Sequence, residues 1–185
     1  MNTVMNMDTK IEIIKPSYEI IDNMDWDKIL LKLEKIMRVC YKSEDLIKPG
    51  SADKLIRSII KRGHESTLEH VSMTVKFICD RGVSHELVRH RHCSFSQEST
   101  RYVNYKNKPM QFILPSWIDI LDADILTDRS FDIITFDNII SPKLETDVDK
   151  WTNGAFESAR YYNKLIELGW KPQQARSVLP NSLKN

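Results

Sequence analysis

Between Arg81 and Tyr102 the sequence gathers the side chains best suited to gripping a small phosphorylated ligand. Arg81, His85, Glu86, Arg89, His90, Arg91 and His92 are followed by Ser94, Ser96, Gln97, Glu98, Ser99, Thr100 and Arg101. Three of the chain's five histidines and four of its arginines fall in this stretch. A guanidinium pairs with phosphate through two parallel hydrogen bonds, and hydroxyls and amides add neutral donors. A simpler role exists, because cations behind a helix C-terminus offset its macrodipole. Two features favour ligand chemistry. Arg and His alternate from 89 to 92, unlike a solvated face, and Gln97–Tyr102 follows at once with four of six side chains able to bond a phosphate or a base.

Other chemistries fit less well. His85 and His90 stand five apart, whereas a helical zinc pair needs a spacing of about four to share a face. His90 and His92 sit among arginines that repel a cation, so no metal site is expected. Cys93 lies near cations that could lower a thiol pKa, but a lone cysteine is more often a small buried residue. The five glycines fit neither a dinucleotide fingerprint nor a P-loop, so any nucleotide must be held by side chains. A second patch runs GHESTLEH from Gly63 to His70. Its simplest reading has Ser66 capping a turn and His70 as a satisfied core histidine.

The elements that must position these residues can be read from periodicity. Residues 11–21 carry two apolar runs split by Pro16, a strand or a strand and a turn. Ile29, Leu30, Leu33, Ile36 and Met37 share a stripe, which predicts a helix over 26–42. Ser51 reads as the N-cap of a helix to about 62, with Gly63 as its stop. Alternation over 71–79 predicts a strand leading to a turn at Asp80-Arg81-Gly82 and a short helix over 83–92. Strands are expected at 99–105 and 110–114, the second ended by Pro115. Residues 116–142 give no clear pattern. Val148, Trp151, Ala155, Ala159, Tyr162 and Ile166 mark a long helix over 144–168, stopped at Gly169. A short helix starts at Pro172 and ends before Pro180. Together these predict a single α+β (α/β) domain over 1–185, a central sheet flanked by helices.

Composition narrows the function classes. The 185 residues are 41% hydrophobic and 29% charged, as in an ordinary globular protein. The net charge of +1 is far from the basic surface of a nucleic-acid binder, so no nucleic-acid partner is expected and an RNA-binding module is disfavoured. Cys40, Cys79 and Cys93 form no C-x-x-C, which suits a reducing cytosol. The polar Met1–Lys10 segment is unlike a signal peptide, and no apolar run is long enough to span a bilayer. The expected location is the cytoplasm, with no membrane partner.

Taken in order, these patches resemble the flavin-dependent thymidylate synthases. Arg89-His90-Arg91, seven residues, then Ser99 resembles the family's signature. The full stretch RHRHCSFSQESTRY extends the likeness, GHESTLEH resembles a second marker, and QQARSVLP from Gln173 to Pro180 resembles a third. The similarity runs from about Ile11 to Asn185, weakest over 116–145.

The resemblance implies the family's fold and chemistry: dUMP is converted to dTMP, the methylene comes from methylenetetrahydrofolate, and NADPH supplies hydride by way of FAD. It implies a homotetramer with active sites between subunits and no cysteine nucleophile. By position, Arg89, His90 and Arg91 would contact FAD, with Arg89 also at dUMP, and His64 and Ser66 would lie against the flavin. Glu86, Leu87 and Val88 would line the dUMP site. Gln97, Glu98, Ser99, Thr100 and Arg101 would form the loop that holds dUMP, with Ser99 near the pyrimidine and Gln97 also near the cofactor. Arg176 would reach dUMP from another subunit. Ser99, Arg89 and Arg176 are the candidate catalytic residues. Family members continue past the block matching QQARSVLP, whereas this sequence stops at Asn185. The expectation is a shortened chain, or one completed by a separate chain. The alternative function is a non-catalytic remnant or part of a split enzyme, binding nucleotide or a partner subunit without turnover.

Overall fold

The computed structural model describes residues 9–106, 108–118, 133–137 and 146–185. Most of 116–145, including most of the stretch without a clear pattern, lies outside the described residues. The elements in chain order are β1 (Lys10–Ile14), β2 (Ser17–Ile20), α1 (Trp26–Val39), α2 (Ser51–Lys61), β3 (Val75–Ile78), α3 (Arg81–Leu87), β4 (Met110–Ile113), β5 (Ile133–Asp137), α4 (Asp147–Glu167) and α5 (Pro172–Ala175). This is the α+β mixture expected from the sequence. Its contacts divide into two compact units, Met1–Ser17 with Phe77–Asn185, and Tyr18–Lys76. Among the described residues no helix is long and apolar enough to cross a membrane.

The first unit is built on a three-stranded sheet with β1 in the middle, parallel to β4 and antiparallel to β5. Ile11 pairs with Met110 and Ile13 with Phe112, and all four are buried. The period of two in β1 sends Lys10 to solvent while Ile11 and Ile13 enter the core. Helix α4 covers this core with Ala155, Phe156, Ala159 and Tyr162. Its start is fixed by a capping box: Thr146 Oγ1 accepts from Asp149 N at 3.0 Å, and Asp149 Oδ2 accepts from Thr146 N at 3.1 Å. Gly169, at φ +91°, ends it in a conformation that a side chain disfavours.

The last residues of the sequence are knitted into the same sheet. Ile113 N donates to Ser182 O at 2.8 Å, and Lys184 N donates to Gln111 O at 2.9 Å. Asn185 N donates to Cys79 O at 2.8 Å. Leu183, 1% exposed, joins the core between these bonds.

In the Tyr18–Lys76 unit, α1 packs on α2 through Leu33, Met37, Ile56 and Ile59. Asp25 caps α1 by accepting from Lys28 N at 3.2 Å. Strands β2 and β3 pair as a two-stranded sheet.

Several local expectations need correction. The strand expected over 71–79 is confined to Val75–Ile78, because Val71 N turns back to Leu68 O at 3.1 Å; Met73 and Phe77 are exposed. Asp80-Arg81-Gly82 starts a helix, since Asp80 Oδ1 accepts from Val83 N at 2.8 Å, and that helix ends at Leu87 rather than 92. No strand forms over 99–105. Tyr102 N and Val103 N both turn back to Ser99 O, at 3.1 and 2.9 Å, and Ser99 Oγ accepts from Arg101 N at 3.3 Å. A hydroxyl that serves its own backbone competes with a sheet ladder. Gly50, at φ +78°, occupies the N-cap position of α2, and Ser51 is its first helical residue, with its hydroxyl 2.9 Å from Glu34 Oε2.

Candidate functional site

The candidate site is laid out by the end of α3 and the chain that leaves it. The closing carbonyls of the helix are met locally: Val88 N donates to Ser84 O, Arg89 N to Glu86 O, and His90 N to Leu87 O. His90 Nδ1 also donates to Leu87 O at 3.0 Å. His92 then adopts φ +62°, unusual for a side-chain-bearing residue, and redirects the chain. Arg89 and Arg91 are exposed, and their guanidiniums have no partner among the described residues. They cap no carbonyl, so their donors stay open to a ligand while their charge still faces the C-terminal end of α3. Glu86 and Val88 are exposed and Leu87 is half-buried on the same turn.

Residues 97–101 are pinned at successive points. Gln97 Nε2 donates to Ser84 O at 3.4 Å, tying the loop to α3. Glu98 accepts from Tyr105 Oη and from Lys184 Nζ, each at 2.7 Å. Burial alone would raise the Glu98 pKa, but these two donors and the charges of Lys184 and Lys108 outweigh it, so the carboxyl lies below its ordinary range. Burial, followed by the bond to Glu98, drives the Tyr105 hydroxyl well above the usual phenol value. Thr100 is 3% exposed, and its Oγ1 accepts from Arg176 Nη1 at 3.1 Å. Ser99 stays half-buried, and Arg101 is exposed with its guanidinium 5.6 Å from the Tyr102 ring centre.

Arg176 comes from the far end of the unit. Pro172 opens α5, Ala175 is fully buried in the core, and Arg176 begins a 3-10 turn through Val178. That anchorage directs Arg176 onto Thr100 of its own chain. The two share a cleft of about 360 Å³ with Arg81, Gln173, Ser177, Leu179 and Leu183. Arg81 is steered there by His85, whose Nε2 accepts at 3.2 Å, and by Asn185 Oδ1 at 3.5 Å. Two guanidiniums, an amide and hydroxyls around one opening suit an anionic group, with Leu179 and Leu183 as its apolar wall.

The structure thus brings together Thr100 and Arg176, and holds Gln97, Glu98, Ser99 and Arg101 on the adjoining loop. Arg89, His90 and Arg91 are displayed on the preceding turn. The sequence reading assigned no role to Gln173, Ser177, Tyr105 or Lys184. The QQARSVLP block contains the first two, while only long-range packing reveals the others.

His64 and Ser66 belong to the Tyr18–Lys76 unit, described by itself. Both are exposed beside a 3-10 turn, Glu65–His70, that has no side-chain cap, so Ser66 does not cap it. His70 is exposed, not a core histidine; its carbonyl accepts from Lys32 Nζ at 2.6 Å. Cys93 is also exposed, and Cys79 is the buried cysteine.

Comparisons with known proteins agree on one family. The family described as thymidylate synthase complementing protein (Thy1) matches residues 19–185. The flavin-dependent thymidylate synthase of Corynebacterium diphtheriae is 35% identical over 150 residues, covering 78% of this chain and 55% of that protein. That of Pyrococcus abyssi is 29% identical over 130 residues, covering 69% of this chain and 44% of its own. The chain therefore spans about half the length of these curated relatives. A crystal structure of the UMP/dUMP methylase PolB from Streptomyces cacaoi, bound with 5-Br dUMP, superposes with a TM-score of 0.69 at 27% identity, covering 94% of this chain and 72% of that one.

Proposed function

Because the chain belongs to the thymidylate synthase complementing protein family, we propose that it acts in the cytoplasm in the reductive methylation of dUMP to dTMP, with methylenetetrahydrofolate as carbon donor and NADPH as the hydride source by way of FAD. The observation that carries this reading is the Arg176–Thr100 contact, which closes an arginine-lined cleft beside Ser99 and Arg101. Support comes from the relatives' flavin-dependent thymidylate synthase names and from the dUMP analogue in the PolB structure.

In this reading Arg176, placed on Thr100 of its own chain and not reaching in from another subunit as the family resemblance implied, holds the nucleotide phosphate with Arg101, and Thr100 and Gln97 fix the loop around it. Ser99 faces the pyrimidine, and Glu86, Leu87 and Val88 line the approach. Arginines near the ring would also stabilise negative charge as it develops there. The cofactor fits what is displayed: Arg89 and Arg91 present guanidiniums unpaired among the described residues and suited to a diphosphate, with His90 oriented between them by Leu87 O. Bound FAD would supply the hydride chemistry, and these residues would bind and orient it. His64 and Ser66 are proposed as further flavin contacts. Assembly as a homotetramer is part of the same proposal.

Since the chain spans 55% of the Corynebacterium diphtheriae relative, ligand binding is tested before turnover. The protein is incubated with FAD, gel-filtered and examined by visible absorption, then titrated calorimetrically with dUMP. A co-eluting flavin spectrum and saturable dUMP heat support the proposal. Folded protein that binds neither ligand refutes it. Binding of both without dTMP formation supports the alternative of a chain that binds nucleotide, alone or with a separate chain, without turnover.

A further inference from the structure

Glu98, in the 97–101 loop, accepts at each carboxylate oxygen from a donor elsewhere in the fold. Tyr105 Oη takes Oε1 and Lys184 Nζ takes Oε2, each at 2.7 Å. Both donors are themselves anchored. Tyr105 is 8% exposed, and its ring meets that of fully buried Tyr162 edge to face at 5.8 Å. The Lys184 backbone N–H is bound to Gln111 O of β4 at 2.9 Å. The Glu98 and Lys184 side chains are 28% and 25% exposed, so solvent screens this pair less than a surface ion pair. A carboxylate held this way is turned toward Tyr105 and Lys184, and as an acceptor-only group it offers a phosphate no donor. Without Lys184 its charge would also oppose a phosphate arriving at Arg176 and Thr100.

We propose that Glu98 is a positioning residue, strapped by Lys184 and Tyr105, which holds Ser99, Thr100 and Arg101 in the shape that receives dUMP. The inference rests on the nucleotide reading above and changes the place of Glu98 within it. Glu98 acts through its neighbours instead of touching the substrate, and Lys184 and Tyr105 become part of the site's support. The strap joins three parts of the unit: β4 through the Lys184 backbone, the α4 core through Tyr105 and Tyr162, and the loop through Glu98.

The test uses the full chain with Glu98→Gln, Lys184→Met, Lys184→Arg, Tyr105→Phe and the double variant E98Q/K184M. Two quantities are read: hydrogen exchange of the amides at 99–101 in ligand-free protein, and calorimetric affinity for dUMP. Glu98→Gln and Lys184→Met are expected to speed exchange at 99–101 and to weaken dUMP binding, each about tenfold, with α4 amides unchanged. The double variant should be no worse than the weaker single one, because both changes release the same strap. Lys184→Arg should restore both readouts, since it keeps a charged donor; a purely global loss of stability would instead speed α4 exchange as well. The proposal is overturned if Glu98→Gln alone weakens dUMP while Lys184→Met and Tyr105→Phe match the unsubstituted protein in both readouts, because Glu98 would then touch the nucleotide itself. If the unsubstituted protein binds no dUMP, the nucleotide reading fails by itself. Exchange then decides the strap: faster exchange at 99–101 in Lys184→Met supports it, and unchanged exchange overturns it.

Discussion

Arg176 Nη1 donates to Thr100 Oγ1 at 3.1 Å, joining residues 76 positions apart at a buried hydroxyl. The bond leaves the rest of the guanidinium facing the cleft, so Thr100 aims the arginine more than it consumes its donors. Thr100→Val keeps the shape and removes the acceptor. It is expected to weaken dUMP binding roughly tenfold, about 1.4 kcal/mol, while Arg176→Ala abolishes measurable binding. Calorimetric titration of the two variants checks this; an unchanged Thr100→Val affinity would show that Arg176 needs no such guide.

Arg89 offers the opposite case, an exposed cation with no partner among the described residues. Replacing it with alanine should leave the urea midpoint nearly unchanged, within about 0.5 kcal/mol in stability. Flavin retained through gel filtration should fall sharply in the same variant. A large stability loss would instead mean that Arg89 supports the fold.

The depressed pKa of Glu98 has a definite consequence for acid stability. A carboxyl whose folded pKa lies below its unfolded value stabilises the protein above the unfolded pKa, and that contribution disappears as pH falls through the folded pKa. Lys184, Tyr105 and Lys108 are the groups facing it, and the ordinary value is 4.5. The urea midpoint should therefore fall as pH drops below about 4.5, and Glu98→Gln should flatten that part of the profile. Parallel profiles for the two proteins would contradict the assignment.

Leu183 tests how far the fold depends on the segment beside the cleft. At 1% exposure within the main core, Leu183→Ala should cost about 2–5 kcal/mol in urea unfolding. Because Leu183 also walls the cleft, dUMP affinity should fall with it. Thr146→Ala is the control, expected to lose about 1 kcal/mol through its capping box with affinity unchanged.

The elements that the sequence revealed best are those with local causes. Pro16 separates β1 from β2, and the apolar stripe of α4 matches its buried face, because period and punctuation act over a few residues. The loop at 97–101 was readable as chemistry but not as shape: its residue types suggested a strand, while Ser99 spent its hydroxyl on its own turn. Glu34 is buried with a local partner, Arg38 one helical turn on, but the Glu98–Lys184 bond spans 86 positions, so no short window of sequence contains the reason for withdrawing that carboxylate from solvent. Asp80 has a subtler cause, since an aspartate two residues before a glycine serves equally as a turn former or a helix cap.

The central position of β1 also bears on the order of folding. Glu12 and Gln111 bond across 99 positions, so the strand made first during synthesis waits for a partner made much later. The Tyr18–Lys76 unit, by contrast, is continuous in sequence, and its α1–α2 pairing closes over short loops. Chain entropy thus favours early helix pairing and late sheet closure. Pulse-labelled hydrogen exchange during refolding should protect α1 and α2 amides before those of Ile11 and Ile13; simultaneous protection would mean that the two units form in one cooperative step.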